Sequence, residues 1–169
     1  KQLRCSDSRK FGRVYLTDDI TTITGKLGPE PLEDEFTPAV LAAALARRKA
    51  AIKSVLLDQT VVAGIGNIYA DEALHRGRIH PQRPANSLDP GEIATLFETI
   101  RAALSAGIAH EGASINWYRK PDGSKGSSQD HFYAYGRTDH PCINCGTLIR
   151  KIVVGQRGTH FCPQCQPID

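Results

Sequence analysis

The stretch PCINCGTLIRKIVVGQRGTHFCPQCQ, residues 141–166, decides the reading. It holds four of the chain's five cysteines, spaced Cys142-x2-Cys145-x16-Cys162-x2-Cys165. One C-x2-C turn offers two thiolates to the same side, and two such turns close a tetrahedron around Zn2+. Gly146 and Pro163 suit the tight turns. Between the pairs, Thr147–Val153 and Thr159–Phe161 predict a β-hairpin with Gly155-Gln156-Arg157-Gly158 at its tip. A redox dithiol would need a C-x2-C ahead of a helix in a βαβ unit, and neither pair has that setting. Four protein ligands leave no open coordination position, so the zinc is expected to be structural. His140 and His160 are then surface or supporting groups. Arg150, Lys151 and Arg157 offset the negative charge of a four-thiolate centre.

Upstream, the apolar pattern is helical. Thr37-Pro38 is a helix start, with the threonine as N-cap. Val40, Leu41, Ala44 and Leu45 follow on one face. A second helix is predicted over Ala50–Leu57 and a third over Ile68–Arg76, capped by Asn67 and ended by Gly77. Asp89-Pro90 opens a long helix with Ile93, Leu96, Phe97, Ile100, Leu104 and Ile108 inward. Residues 10–24 are rich in β-branched and aromatic side chains and predict two short strands around Asp18-Asp19. Residues 119–130 (RKPDGSKGSSQD) read as a mobile polar loop.

The 169 residues are 23% charged and 40% hydrophobic, as in a globular protein. The longest apolar run, Ala39–Ala46, is far short of the ~20 residues that a membrane span requires. The polar start KQLRCSDSRK has no apolar signal segment. A cytoplasmic, nucleoid-associated protein without membrane contact is expected. There is no methionine, and the chain begins with Lys1, so it is expected to be a piece of a longer protein. The net charge is only +3, but it comes in blocks. Residues 1–16, 47–83 and 119–169 are basic, and the segments between them acidic. Basic blocks gathered on one face would form a footprint for phosphates.

Two further segments stay open on their residues alone. Gly64-Ile65-Gly66-Asn67 is either an ordinary helix–helix turn or a phosphate cradle at a helix N-terminus, with Arg47, Arg48, Lys49 and Lys53 nearby. Arg9-Lys10-Phe11-Gly12 is either the start of a strand with a core phenylalanine or a wedge that enters a base stack.

Together these motifs resemble the formamidopyrimidine-DNA glycosylases and their endonuclease VIII relatives. The resemblance is carried by KLGPEPL (26–32), IKSVLLDQTVVAGIGNIYADEAL (52–74), YGR (135–137), residues 141–166, and DSRKFG (7–12). It implies a mainly α fold with a small β part. A helix-two-turn-helix domain (37–118) would be followed by a lesion-recognition loop (119–130) and a four-cysteine zinc hairpin (131–169). Two strands left from an N-terminal β-sandwich domain (1–24) and a linker (25–36) would precede it. It implies base-excision repair by a bifunctional DNA glycosylase and AP lyase acting on oxidised purines such as 8-oxoguanine and formamidopyrimidines. The partners would be duplex DNA with an oxidised or abasic site and the missing N-terminal catalytic domain, with the protein a monomer. The family's nucleophile, an N-terminal proline followed by glutamate, is absent, so this chain alone is expected to be inactive. A naturally short, non-catalytic zinc-containing DNA-binding protein is the alternative. By matching position, Arg9 and Phe11 would fill the gap left by the flipped base. Arg48 would contact DNA, Lys53 would line the site, and Asn67 would bind a phosphate. Arg157 would clamp a phosphate, with a family-assigned part in δ-elimination. Cys142, Cys145, Cys162 and Cys165 would hold one structural Zn2+.

Overall fold

The computed structural model describes residues 12–115, 120 and 122–168. Its helices are α1 (Thr21–Thr24), α2 (Pro38–Leu45), α3 (Ile52–Leu56), α4 (Asn67–Arg76) and α5 (Pro90–Ala109). Strands β1 (Arg150–Val154) and β2 (Arg157–Phe161) follow. Short 3-10 turns cover Ala85–Ser87 and Ser128–His131. No helix among the described residues is long and apolar enough to cross a membrane.

The helical core is built from Leu41 and Leu45 of α2, Ile52, Val55 and Leu56 of α3, Leu74 of α4, and Leu96 and Ile100 of α5. Phe36 closes it against Phe97, with ring centroids 5.3 Å apart. Thr37 and Asp89 both cap their helices, as expected. Thr37 accepts from Val40 N at 3.3 Å. Asp89 accepts from Glu92 N at 2.8 Å, and the Glu92 carboxylate returns to Asp89 N at 2.9 Å. This reciprocal pair satisfies two backbone donors that the helix itself leaves open. Asp89→Ala is therefore expected to lower stability by about 1 kcal/mol, read from urea unfolding. An unchanged midpoint would refute the cap's contribution. Two apolar positions turn outward against expectation: Val40 and Ile108 are exposed, the latter where α5 runs past the core.

The strands expected over residues 10–24 do not form among residues 12–24, the described part of that segment. Asp19 accepts from Thr21 N at 2.9 Å and starts the single helical turn α1 instead. Val14, Leu16 and Ile20 are exposed. A two-stranded ribbon with no apolar layer to cover has little to hold it together. The stretch 25–36, expected as a linker, is fastened to the helical domain from Gly28 onward. Gly28 N donates to Gln59 O at 2.8 Å, Ala63 N to Pro29 O at 3.1 Å, and Arg101 to Pro31 O at 2.7 Å. Gly28 has no alternative here: a Cβ would lie 2.5 Å from the Val61 carbonyl carbon. The polar stretch 119–130 has turn structure where it is described. Lys120 N donates to Ser124 O at 2.9 Å, and Ser127 N reaches His110 O, at the end of α5, at 2.9 Å.

The hairpin is antiparallel, pairing Arg150 with Phe161 through Val154 with Arg157. Its turn is shorter than predicted, only Gly155 and Gln156, with φ of 54° and 62°. Two successive positive φ angles match the right-handed twist of paired strands. Arg157 therefore belongs to β2, at the strand's first position, and not to a loose loop.

Candidate nucleic-acid interface and zinc centre

The four cysteine sulfurs converge. All lie within 4.8 Å of one another, with Cys142 and Cys165 at 3.9 Å and Cys145 and Cys162 at 3.5 Å. A tetrahedral site with Zn–S bonds of about 2.3 Å has sulfur–sulfur edges of about 3.8 Å. The knuckle backbones are preset. Gly146 N donates to Cys142 O at 2.8 Å and Gln166 N to Cys162 O at 2.9 Å. The donor set fits one structural Zn2+. The hairpin's own apolar core is Ile149 with the buried cysteines.

Helix α4 carries this module. Asn67, Asp71 and His75 stand at i, i+4 and i+8, one above the other on a helix face. Asn67 Nδ2 donates to Gly158 O at 3.1 Å. Asp71 Oδ2 accepts from His160 N at 2.8 Å. His75 Nε2 meets Cys142 Sγ at 3.4 Å. The three contacts run from the hairpin's turn end, along β2, to the zinc knuckle. On its other side α4 offers Glu72, whose carboxylate accepts from Tyr133 N, Ala134 N and Tyr135 N, each at 2.9 Å. Asn67 does not serve as the expected helix cap. The N-cap is Gly66, and the Asn67 side chain leaves the helix for the hairpin.

Lys53 departs further. Expected to line the site, it lies beneath it, with its side chain 0% exposed. Its ammonium pairs with Asp71 Oδ1 at 2.6 Å and donates to Thr159 Oγ1 at 2.8 Å and Gly158 O at 3.0 Å. Burial pushes the Lys53 pKa below the usual lysine value, and the Asp71 charge opposes that shift without cancelling it. Contact with a phosphate would have to pass through Gly158 and Thr159, which Lys53 holds in place. Arg48 is half-exposed and paired with Asp58 at 3.2 Å. Arg9 and Phe11 lie outside the described residues.

Arg157 and Asn67 do come together. With Leu57, Gln59, Ile65 and Gly66 they line a depression of about 240 Å³ at the N-terminus of α4. Arg157 is exposed. Gly66 leaves the floor open, since a Cβ there would meet nothing within 4 Å. The first turn of a helix directs N–H groups outward and favours an anion. Gln59 holds the turn in shape. It donates to Ile65 O at 3.0 Å and accepts from Gly64 N at 2.8 Å. Gln59, Asp71 and Glu72 were missed from sequence. Gln59 satisfies backbone groups of the adjacent turn, and Asp71 and Glu72 those of segments 61 to 89 positions away, which no local pattern marks.

The comparisons agree with this geometry. The profile of the formamidopyrimidine-DNA glycosylase H2TH domain matches residues 27–119. That of the zinc finger found in FPG and IleRS matches residues 139–168. Formamidopyrimidine-DNA glycosylase of Herpetosiphon aurantiacus is 52% identical over 168 residues, covering 98% of this chain and 62% of that protein. The crystal structure of MutM (Fpg) from Thermus thermophilus superposes with a TM-score of 0.89 at 41% identity, over 96% of this chain and 64% of that one. Lactococcus lactis Fpg in complex with DNA containing an abasic site gives a TM-score of 0.80 at 41% identity, over 87% and 54%. The chain thus spans just over three fifths of its curated relative's length. With both domain profiles and the superposed fold in agreement, this chain belongs to the formamidopyrimidine-DNA glycosylase (Fpg/MutM) family, of which it comprises the helix-two-turn-helix domain and the zinc finger.

Proposed function

We propose that this chain is the DNA-gripping part of a bifunctional glycosylase and AP lyase that removes oxidised purines, 8-oxoguanine and formamidopyrimidines, from duplex DNA. One observation carries the reading: Arg157 and Asn67 share an open depression at the N-terminus of the ten-residue helix α4. A DNA phosphate fits that chemistry. It would take the helix N–H groups and the Arg157 guanidinium, with Asn67 bracing the Gly158 carbonyl beside it. A guanidinium keeps its proton under ordinary conditions. Arg157 therefore acts on δ-elimination by stabilising the departing phosphate as a fixed charge, in preference to giving up a proton. Arg48 adds a contact at the rim. Arg9 and Phe11 fill the gap in the stack, and residues 119–130 cover the extruded base. Base removal and the proline amine chemistry belong to the part of the relatives' length that this chain does not match. The protein works in the cytoplasm, on the nucleoid, as a monomer.

The test is duplex binding to an abasic-site analogue as a function of salt. Four or five phosphate contacts give a log–log slope of roughly −4. Arg157→Ala is expected to reduce that slope by about one. A flat salt response, or an unchanged slope in the variant, would overturn the clamp. The lesion assignment is tested separately, by strand cleavage of 8-oxoguanine and formamidopyrimidine duplexes with the full-length gene product.

A further inference from the structure

We propose that His75 donates a hydrogen bond to the Cys142 thiolate and thereby sets the strength of the zinc site from within helix α4. The four-cysteine spacing does not include this residue, which lies 67 positions before Cys142. His75 is fully buried, and its Nε2 is 3.4 Å from Cys142 Sγ. Its other ring nitrogen, Nδ1, is buried and has no partner among the described residues. That settles which nitrogen carries the proton. A proton on Nδ1 alone would leave an orphan donor and point the Nε2 lone pair at a sulfur lone pair. A proton on Nε2 gives N–H···S and leaves only an acceptor unmet.

The surroundings fit a negative sulfur. Arg137 donates to Pro141 O at 3.0 Å, next to Cys142, and to Phe132 O at 3.3 Å. Cys162 Sγ finds its donor within its own knuckle, from Cys165 N at 3.4 Å. Cys142 draws a side-chain donor from another domain. A donor on a ligating thiolate spreads its charge, fixes its rotamer and slows its loss by protonation or oxidation. The same helix begins at Asn67 beside the candidate phosphate site, so α4 ties that site and the metal to one rigid element.

The test is zinc affinity of the 169-residue chain by competition with a chromophoric chelator. His75→Phe keeps the ring volume and removes the donor, and is expected to weaken zinc binding at least about 10-fold. His75→Gln restores an amide donor and is expected to recover most of that loss. Affinity within about two-fold of the parent in a folded His75→Phe protein would overturn the proposal. Cadmium-113 in place of zinc gives a readout that needs no variant. A scalar coupling between a histidine ring proton and the metal, through the N–H···S bond, is expected in the parent chain. Its absence would overturn the donor assignment even if His75→Phe fails to fold.

Discussion

Stripping the zinc, or replacing Cys162 by Ser, is expected to unfold the hairpin while α5 stays folded. The two modules rest on different physics. The helical domain has a continuous core in which Leu41, Leu45, Ile52, Leu56, Leu74, Leu96 and Ile100 are all nearly inaccessible. The zinc module's own cluster is Ile149 with its cysteines, and of its strand residues only Val154 and Phe161 are buried apolar side chains. A two-stranded hairpin is marginal in water without an apolar layer. Structural zinc in such modules contributes roughly 10–16 kcal/mol of apparent binding free energy, and that free energy is spent on folding. Remove it and the module has no second source of comparable size. The contacts from Asn67, Asp71 and His75 are a few hydrogen bonds, each worth about 1 kcal/mol net. Hydrogen exchange is the discriminating measurement. Amides of β1 and β2 should lose protection on chelation, while those of Leu96 and Ile100 should keep it. Retained protection in β1 and β2 without metal would contradict the zinc-dependent hairpin. Loss throughout α5 would mean that the modules fold as one unit.

The parts legible in sequence are those where one local pattern has one physical outcome. Two C-x2-C turns have few uses besides a metal. Thr37-Pro38 and Asp89-Pro90 start helices because both the cap and the fixed proline φ act within one turn. The strand reading of residues 10–24 failed for the opposite reason. β-branched residues favour a strand only when a sheet is there to receive them, and among residues 12–24 no partner strand forms. Asn67 illustrates a different limit. An asparagine before a helix reads as a cap, but a side chain has one conformation at a time, and here the Gly158 carbonyl takes it. The stripe Asn67, Asp71, His75 is plain in the sequence as a polar face. Polar faces usually meet water. Nothing local reveals that this one meets the zinc hairpin, at contacts that follow 67 to 91 positions later. The turn Gly64-Ile65-Gly66-Asn67 was marked by its glycines, and Arg157 was singled out only by the family resemblance. The buried Lys53–Asp71 pair beneath them was not legible.

Asp71→Asn is expected to destabilise the protein by about 3–5 kcal/mol near neutral pH, with the deficit shrinking as the pH rises. The pair is fully buried, 2.6 Å apart, with both side chains at 0% exposure. Removing one charge leaves the other with no compensation in a poorly solvated site, which costs more than the pair itself contributes. Asparagine keeps an oxygen for His160 N, so the loss isolates the ion pair from that hydrogen bond. The pH dependence follows from Lys53. Its folded pKa is already lowered, by burial first, and Asp71 is the group that pulls it back up. Without Asp71 it falls further. Below the folded pKa, the buried ammonium is a full penalty. Between the folded pKa and the ordinary lysine value, the folded protein has released the proton and the unfolded chain still holds it, so stability increases with pH. In the Asp71→Asn protein that window opens at lower pH than in the parent. Urea unfolding from neutral to alkaline pH should therefore show the two proteins converging. A constant difference would assign the loss to packing and not to charge. Lys53→Met together with Asp71→Asn removes both charges and is expected to recover at least half of the single-variant deficit. The Arg157 salt slope should move with these variants, because Gly158 and Thr159, which Lys53 holds, fix the start of β2. If Asp71→Asn loses stability but binds DNA with the parent's slope, the buried pair supports the fold without positioning the clamp.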